Sequence, residues 1–463
     1  MFDSIALLLA ALVSADAHPD LIIENVTVLE VESGEKLPFR NVAITDGSII
    51  SVSSEPVESG ENTLVIDGQG KFLIPGLWDT HVHSVTNWSW HAPLFLAHGV
   101  TSVRNMHTSE TEGYAIIREI KKQAARGEAP RMIANGFIVG GAEDPWDGVL
   151  EVVTAEDARK AVEMHRQNGM DFIKVYEGIS PEAYRALMEM AEEAALPVDG
   201  HLPGRIRTQE AVMLGQRTIE HGIAFALGCS DPNKAEALQA SYERPALAGP
   251  PGLIEFMLML RAYDEARVEE DCVALARLMS DRGTASVPTI INSLTAKAEL
   301  SMATLGQREA LPSSLYAQWS ESAASPFSEA VAKARGPVMS PIRSEIATLK
   351  EAGVTILAGT DLGNPFIAPG VSLLRELELL VEAGLSNREA LEAATTAPAK
   401  VFKLEGLGCI VAGCKADLVL LEADPLESIS NVRRISSVVI AGHYHSKSDL
   451  DRDVLQALDA EDR

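Results

Sequence analysis

The sequence predicts an α/β fold: a (β/α)8 barrel of the TIM type with a small β-sandwich formed by both chain ends. Three observations lead there. Through the middle of the chain, short apolar strands alternate with helix-length segments, which implies parallel βα units. The two ends, residues 20–72 and 404–445, have another texture, short β-branched runs broken by turns. Histidines, a lysine and an aspartate close several of the middle strands, and in such a barrel every strand C-terminus opens onto one face.

At 463 residues the chain accommodates one barrel and a smaller accessory unit. The expected division is a signal peptide over 1–17, sandwich parts over 18–73 and 404–447, the barrel over 74–403 and an acidic tail over 448–463, either a solvated helix or disordered. Ile5 to Val13 is a continuous apolar run, and Ser14-Ala15-Asp16-Ala17 supplies small residues for cleavage before His18. This pattern reads as export. Against it, the segment before the run has Asp3 and no Lys or Arg, and an uncleaved run would instead leave the protein cytoplasmic. The run falls well short of the ~20 residues of a membrane span, and no later segment qualifies.

An apolar content of 46% with 23% charge is that of a globular protein. The net charge of −27 repels phosphate backbones and argues against a nucleic-acid partner. Cys229, Cys272, Cys409 and Cys414 form no CxxC pair, so a zinc–thiolate site is not expected. An exported protein could join Cys409 to Cys414 or Cys229 to Cys272, and four free thiols are equally compatible with the sequence.

Element by element, Asp46-Gly47 between Asn-Val-Ala-Ile and Ser-Ile-Ile-Ser-Val signals a hairpin. Strands are expected over Ile74–His83, Gly99–Asn105 and Pro130–Gly140. Thr154, with Asp157 three positions on, starts a helix that Asn168-Gly169 stops. The strand Asp171–Tyr176 follows. Ser180-Pro181 opens the next helix, then come the strand Pro197–His201, a helix from Thr208 and the strand Arg217–His221. Ala285–Asn292 and Val354–Asp361 read as strands seven and eight. Residues 223–283 and 293–350 exceed a single crossover and carry extra helices; Met257-Leu-Met-Leu among them reads as core packing.

His81-Val82-His83 puts two imidazoles on one strand face, because side chains alternate. Lys174 lies in an apolar strand, where an ammonium must pair, lose its proton or be modified. His201, His221 and Asp361 end later strands. Singly, each has an ordinary explanation as a core histidine or a helix cap. Together and in order, the six point to a metal-dependent hydrolase.

The chain also carries Ile74-Pro-Gly-Leu-Trp-Asp-Thr-His-Val-His, His98-Gly-Val-Thr-Ser-Val-Arg, Ser386-Asn-Arg-Glu-Ala-Leu-Glu-Ala-Ala-Thr and Leu407-Gly-Cys-Ile-Val-Ala-Gly-Cys-Lys-Ala-Asp-Leu-Val. With these it resembles the amidohydrolase superfamily, in particular its imidazolonepropionase-like and prolidase-like branch, over about residues 20–445. The resemblance implies a binuclear site in which a carbamate on Lys174, formed from CO2, bridges two divalent metal ions. His81, His83 and Asp361 would hold the more buried ion, and His201 and His221 the other. Zinc is the first choice for nitrogen and oxygen ligands, with manganese, cobalt and iron as alternatives. Asp361 would take the proton of the attacking hydroxide and pass it to the departing nitrogen.

Lys174-Val175-Tyr176 is similar to the peptidase-like members of the branch. It makes Tyr176 a candidate contact to a substrate carboxylate or scissile carbonyl, or else a tyrosine packed under a loop. Arg205 and Arg207 are candidate carboxylate forks or solvated loop residues. Many relatives carry a histidine after the Gly-Gly of the third strand. Here Gly140-Gly141 runs into Ala142-Glu143-Asp144-Pro145-Trp146, which would disfavour a second carboxylate and suit a basic or aromatic group. Trp88, Trp90 and His91 suggest an aromatic rim or ordinary packing.

The expected activity is hydrolysis of a dipeptide or N-acyl amino acid, a small-molecule amide or peptide. Alternatives are a cyclic amide or imide hydrolase, a lactonase or esterase on the same site, and a non-catalytic scaffold. Barrels of this family often associate, so a homo-oligomer is compatible with the resemblance.

Overall fold

The computed structural model describes residues 18–463 except 110, 143, 145, 232, 235–249 and 295–310. The expected leader, Glu143 and Pro145 lie outside the described residues.

Strands from both chain ends share one eight-stranded sheet. Its order is His443–Ser446, Ile435–Ile440, Leu418–Leu421, Phe72–Pro75, Leu21–Glu30, Glu35–Thr45 and Ser48–Ser53, with Leu64–Asp67 pairing on Leu21–Glu30 beside Phe72–Pro75. The hairpin Thr45–Ser48 turns at Asp46 and Gly47, whose φ values of 49° and 70° are those a two-residue turn between twisted strands requires. Alternation gives this sheet two apolar faces. Leu418 and Leu420 join one buried cluster with Leu73 and Val439, while Val419 and Leu421 join the barrel core.

The barrel strands pair in parallel. Leu77–Val82, Val100–Asn105 and Arg131–Ala134 form one set. Ile138–Gly140, Ile173–Val175, Val198–Gly200, Thr218–Glu220 and Ala285–Val287 form the other, with the short Val149–Glu151 outside Ile138–Gly140. Asp171 ties the sets together: its N–H donates to the Ala134 carbonyl at 2.9 Å and its carboxylate accepts the Ala134 N–H at 2.7 Å. On the far side, the expected eighth strand makes only isolated parallel bridges, Ser286–Ile356 and Val82–Leu362. Its backbone still joins both neighbours, from Leu357 N–H to the Ser286 carbonyl (2.9 Å) and from Thr80 N–H to the Ala358 carbonyl (3.0 Å). At its end Asp361 adopts φ 61°, which turns the chain out of extended conformation.

The helices start where their capping residues stand. Thr154 and Asp157 exchange both hydrogen bonds of a capping box, and Ser180 caps a helix with Pro181 in its first turn. The long intervals hold Pro250–Ala266 and Glu269–Arg282, then Ser313–Ala323, Pro326–Arg335 and Met339–Glu351. Of Met257-Leu-Met-Leu only Met259 is buried and Leu258 is exposed, because this helix turns a single face to its neighbours. The acidic tail is the helix Lys447–Glu461, capped by Ser446. Its Leu458 packs with Trp90 and Leu94 of the helix Trp88–Ala97, so Trp88, Trp90 and His91 are buried core rather than a pocket rim. Both disulfides are present, Cys229–Cys272 and Cys409–Cys414.

Candidate metal centre

The strand Leu77–Val82 is buried along its whole length and delivers His81 at its end, with His83 just beyond. Asp79, two residues earlier on the same face, accepts the backbone N–H and hydroxyl of Thr360 at 3.0 and 2.7 Å. That clasp sets the position of the next residue, Asp361. His201, His221 and Lys174 arrive from the ends or interiors of three adjacent strands. Gly200 makes room for the lysine, since a Cβ there would lie 2.9 Å from Lys174 Cδ, and its φ of 131° favours glycine.

Four imidazoles and one carboxylate converge. Nε2 of His81 and Nε2 of His83 each lie 3.2 Å from Asp361 Oδ1. His221 Nε2 is 3.9 Å from Asp361 Oδ2 and 3.0 Å from His201 Nε2. Each outer nitrogen of three rings is held: His81 Nδ1 by Glu220 at 2.7 Å, His201 Nδ1 by Glu177 at 3.0 Å and His221 Nδ1 by the Thr289 hydroxyl at 2.6 Å. A carboxylate only accepts, so the Nδ1 atoms of His81 and His201 carry protons and their Nε2 atoms face inward. Asn292 donates to Asp361 Oδ2 at 2.7 Å. His221, Thr289 and Asp361 all sit at positive φ (64°, 44° and 61°), and such strain is held in place only where the surroundings over-determine it.

The electrostatics match a cation site. Burial keeps the His83, His201 and His221 imidazoles below their usual pKa. Burial also works against ionised Asp361, yet His81 and His221 outweigh it and hold the carboxyl well below the ordinary range. Burial pushes the Lys174 ammonium down to about 8, against the attraction of Glu220 and Asp361.

Two buried atoms are left without a hydrogen bond among the described residues: Lys174 Nζ, and His81 Nε2, whose 3.2 Å contact with Asp361 lacks hydrogen-bond geometry. Unsatisfied buried polar atoms are rare, and two in one cluster fit a bound group that would satisfy them. Ligand atoms of His81, His221 and Asp361 lie within 4.8 Å of one another, a spacing one divalent ion can span. The donor set therefore fits a metal.

The remaining expected contacts divide. The Tyr176 ring packs 4.4 Å from His201 and stands perpendicular to Trp146 at 6.3 Å, beside the centre. Arg205 and Arg207 are exposed, the latter just ahead of the helix Thr208–Met213. Asp144 joins its own loop to the one after the strand Ile173–Val175 by accepting the N–H groups of Gly141 and Gly178 at 2.7 and 2.9 Å, and burial lifts its pKa to about 6. Sequence reasoning missed Glu220, Glu177, Thr289, Asn292 and Arg104. Glu220 and Arg104 had the signal that singled out Lys174, a charge inside an apolar strand; Thr289 and Asn292 had none.

Residues 72–444 match the amidohydrolase family. Adenine deaminase of Methanococcoides burtonii is 28% identical over 202 residues, 41% of this chain and 33% of that protein. The chain thus matches about a third of the length of that curated relative. Among solved structures, bottromycin amidohydrolase superposes with a TM-score of 0.72 at 24% identity, over 95% of this chain and 90% of its own. A Xaa-Pro dipeptidase with methionine bound in its active site gives 0.66 at 20% identity, over 92% and 99%.

Proposed function

The chain belongs to the amidohydrolase family, and from that premise we propose that it is an exported binuclear metal hydrolase cleaving the amide bond of a dipeptide or an N-acyl amino acid. One observation carries the reading: inward-facing imidazole nitrogens meet Asp361 beside a buried lysine with no hydrogen-bond partner among the described residues. His81, His83 and Asp361 would hold one ion, His201 and His221 the other, with Lys174 between them as a carbamate. Carbamylation joins the neutral amine to CO2 with loss of a proton, replacing a buried cation by an anion with two ligand oxygens. Imidazole and carboxylate donors suit zinc.

When bound, the ions supply a low-pKa water and polarise the substrate carbonyl. The chain's own residues do the rest. Asp361 takes a proton at a carboxylate oxygen and hands it to the leaving nitrogen, while Asn292 fixes its other oxygen. Tyr176, beside His201, contacts the substrate carboxylate or carbonyl. The dipeptidase and bottromycin amidohydrolase folds support a peptide-like amide, and two disulfides support an oxidising compartment.

The adenine deaminase similarity favours a second reading, removal of an amino group from a purine. Metal content per chain, measured with amine release from dipeptides, N-acyl amino acids and adenine, separates them. About two ions with amino-acid release supports the proposal, ammonia from adenine alone replaces it, and no metal after reconstitution with bicarbonate rejects both.

A further inference from the structure

Beneath the metal centre lies a group of buried charges that catalysis as described does not use. Arg104, from the second barrel strand, is fully buried, and each of its three nitrogens donates. Nε donates to the Thr80 carbonyl at 2.5 Å, and Nη1 to Asp199 and the Thr218 hydroxyl, both at 2.9 Å. Nη2 reaches both oxygens of Glu220 at 2.8 and 2.9 Å. Arg217 closes the group from the other side, binding Asp199 through Nε at 2.9 Å and Nη2 at 2.5 Å. Two cations face two anions, and both guanidinium groups lie against the rings of Phe402 and Phe172. The group is balanced in charge, yet only one of its members touches an expected ligand: Glu220 Oε2 meets His81 Nδ1 at 2.7 Å.

We propose that Glu220, clamped by Arg104, is a positioning residue for the metal: it fixes the proton of His81 on Nδ1, aims Nε2 at the ion and places a negative charge behind that ligand. The inference rests on the proposed metal centre. A carboxylate behind a histidine ligand raises the ligand's basicity and locks its ring, and loss of such a partner typically weakens metal binding about 10–100-fold. Arg104 supplies the complementary constraint. With both Glu220 oxygens held by Nη2 and Oε1 also accepting from Thr218 at 2.5 Å, the carboxylate cannot rotate away from the ring. Asp199 shares the same arginine without reaching His81, so it is the internal control.

The test compares zinc affinity, by chelator competition, and apo-protein melting temperature for wild type, Glu220→Gln and Asp199→Asn. Each variant removes one negative charge from the same group. A positioning role predicts that zinc affinity falls about 10–100-fold in Glu220→Gln and stays near wild type in Asp199→Asn. Unchanged affinity in Glu220→Gln, or an equal loss in both variants, overturns it in favour of a purely structural charge group.

Nitrogen-15 NMR of the histidines in zinc-loaded wild type adds a readout that needs no variant. It should show His81 protonated on Nδ1, and a proton on Nε2 overturns the proposal. A wild-type protein that takes up no metal overturns the proposed function and this inference together.

Discussion

At the scale of single residues, the proposed function gives Asp361 and Lys174 separable duties. Asp361→Asn removes a proton acceptor while preserving shape, so turnover should fall ~10² or more. Near-normal turnover would take Asp361 out of proton transfer. Lys174→Ala should lower bound metal as well as activity, because the lysine is read as the bridge between ions; metal content by elemental analysis that matches wild type would sink the carbamate. The sequence could single out these two residues and the four histidines because Lys174 is a charge inside an apolar strand and the others stand where strands end. The residues that hold them were less so. Glu177 and Thr289 look like ordinary loop residues until the fold sets them against His201 and His221. Trp88, Trp90 and His91 lie close to His83 in sequence, but helix packing carries them inward.

Among elements, the short helix Ile290–Leu294 connects the centre to the scaffold. Thr289, just before it, holds His221, and Asn292 within it holds Asp361. Glu376, fully buried in the helix Val371–Ala383, accepts the first two N–H groups of the short helix at 2.8 and 2.7 Å. Burial pushes its carboxyl up to about 8. Glu376→Ala would leave two buried N–H groups unsatisfied, costing about 2–5 kcal/mol, and would loosen Thr289 and Asn292 together. Denaturant unfolding should show that loss, and a variant as stable as wild type would contradict it. Glu376→Gln, which keeps an acceptor, should lose less. The sequence read Ala285–Asn292 as a single strand because β-branched residues fill it. The strand ends at Val287, and the positive φ of Thr289, which no propensity signals, turns the chain into the helix.

For the molecule as a whole, a buried carboxyl outside the set of expected ligands ties stability to pH. Glu345 pairs with Arg267 at 3.0 Å, yet burial outweighs the arginine and lifts its pKa from 4.5 to about 7. The native state therefore holds this proton more tightly than the unfolded chain. Its contribution is complete below pH 4.5 and is lost as pH rises through 7. Glu345→Gln should remove that dependence, so its stability relative to wild type should grow by about 3 kcal/mol between pH 4.5 and 8. A pH-independent difference in denaturant midpoint would refute the assignment. The barrel and the terminal sheet were readable from alternation and texture. The strand order was not, because pairings such as Phe72–Pro75 with Leu418–Leu421 join residues more than 340 positions apart.

That pairing bears on how the protein is made. During synthesis Phe72–Pro75 emerges long before its antiparallel partner, leaving a row of backbone donors and acceptors exposed at a growing edge. The barrel can form strand by strand behind the ribosome, but the terminal sheet closes only when the last tenth of the chain arrives. The nascent molecule is therefore most prone to aggregate when its catalytic half is already folded.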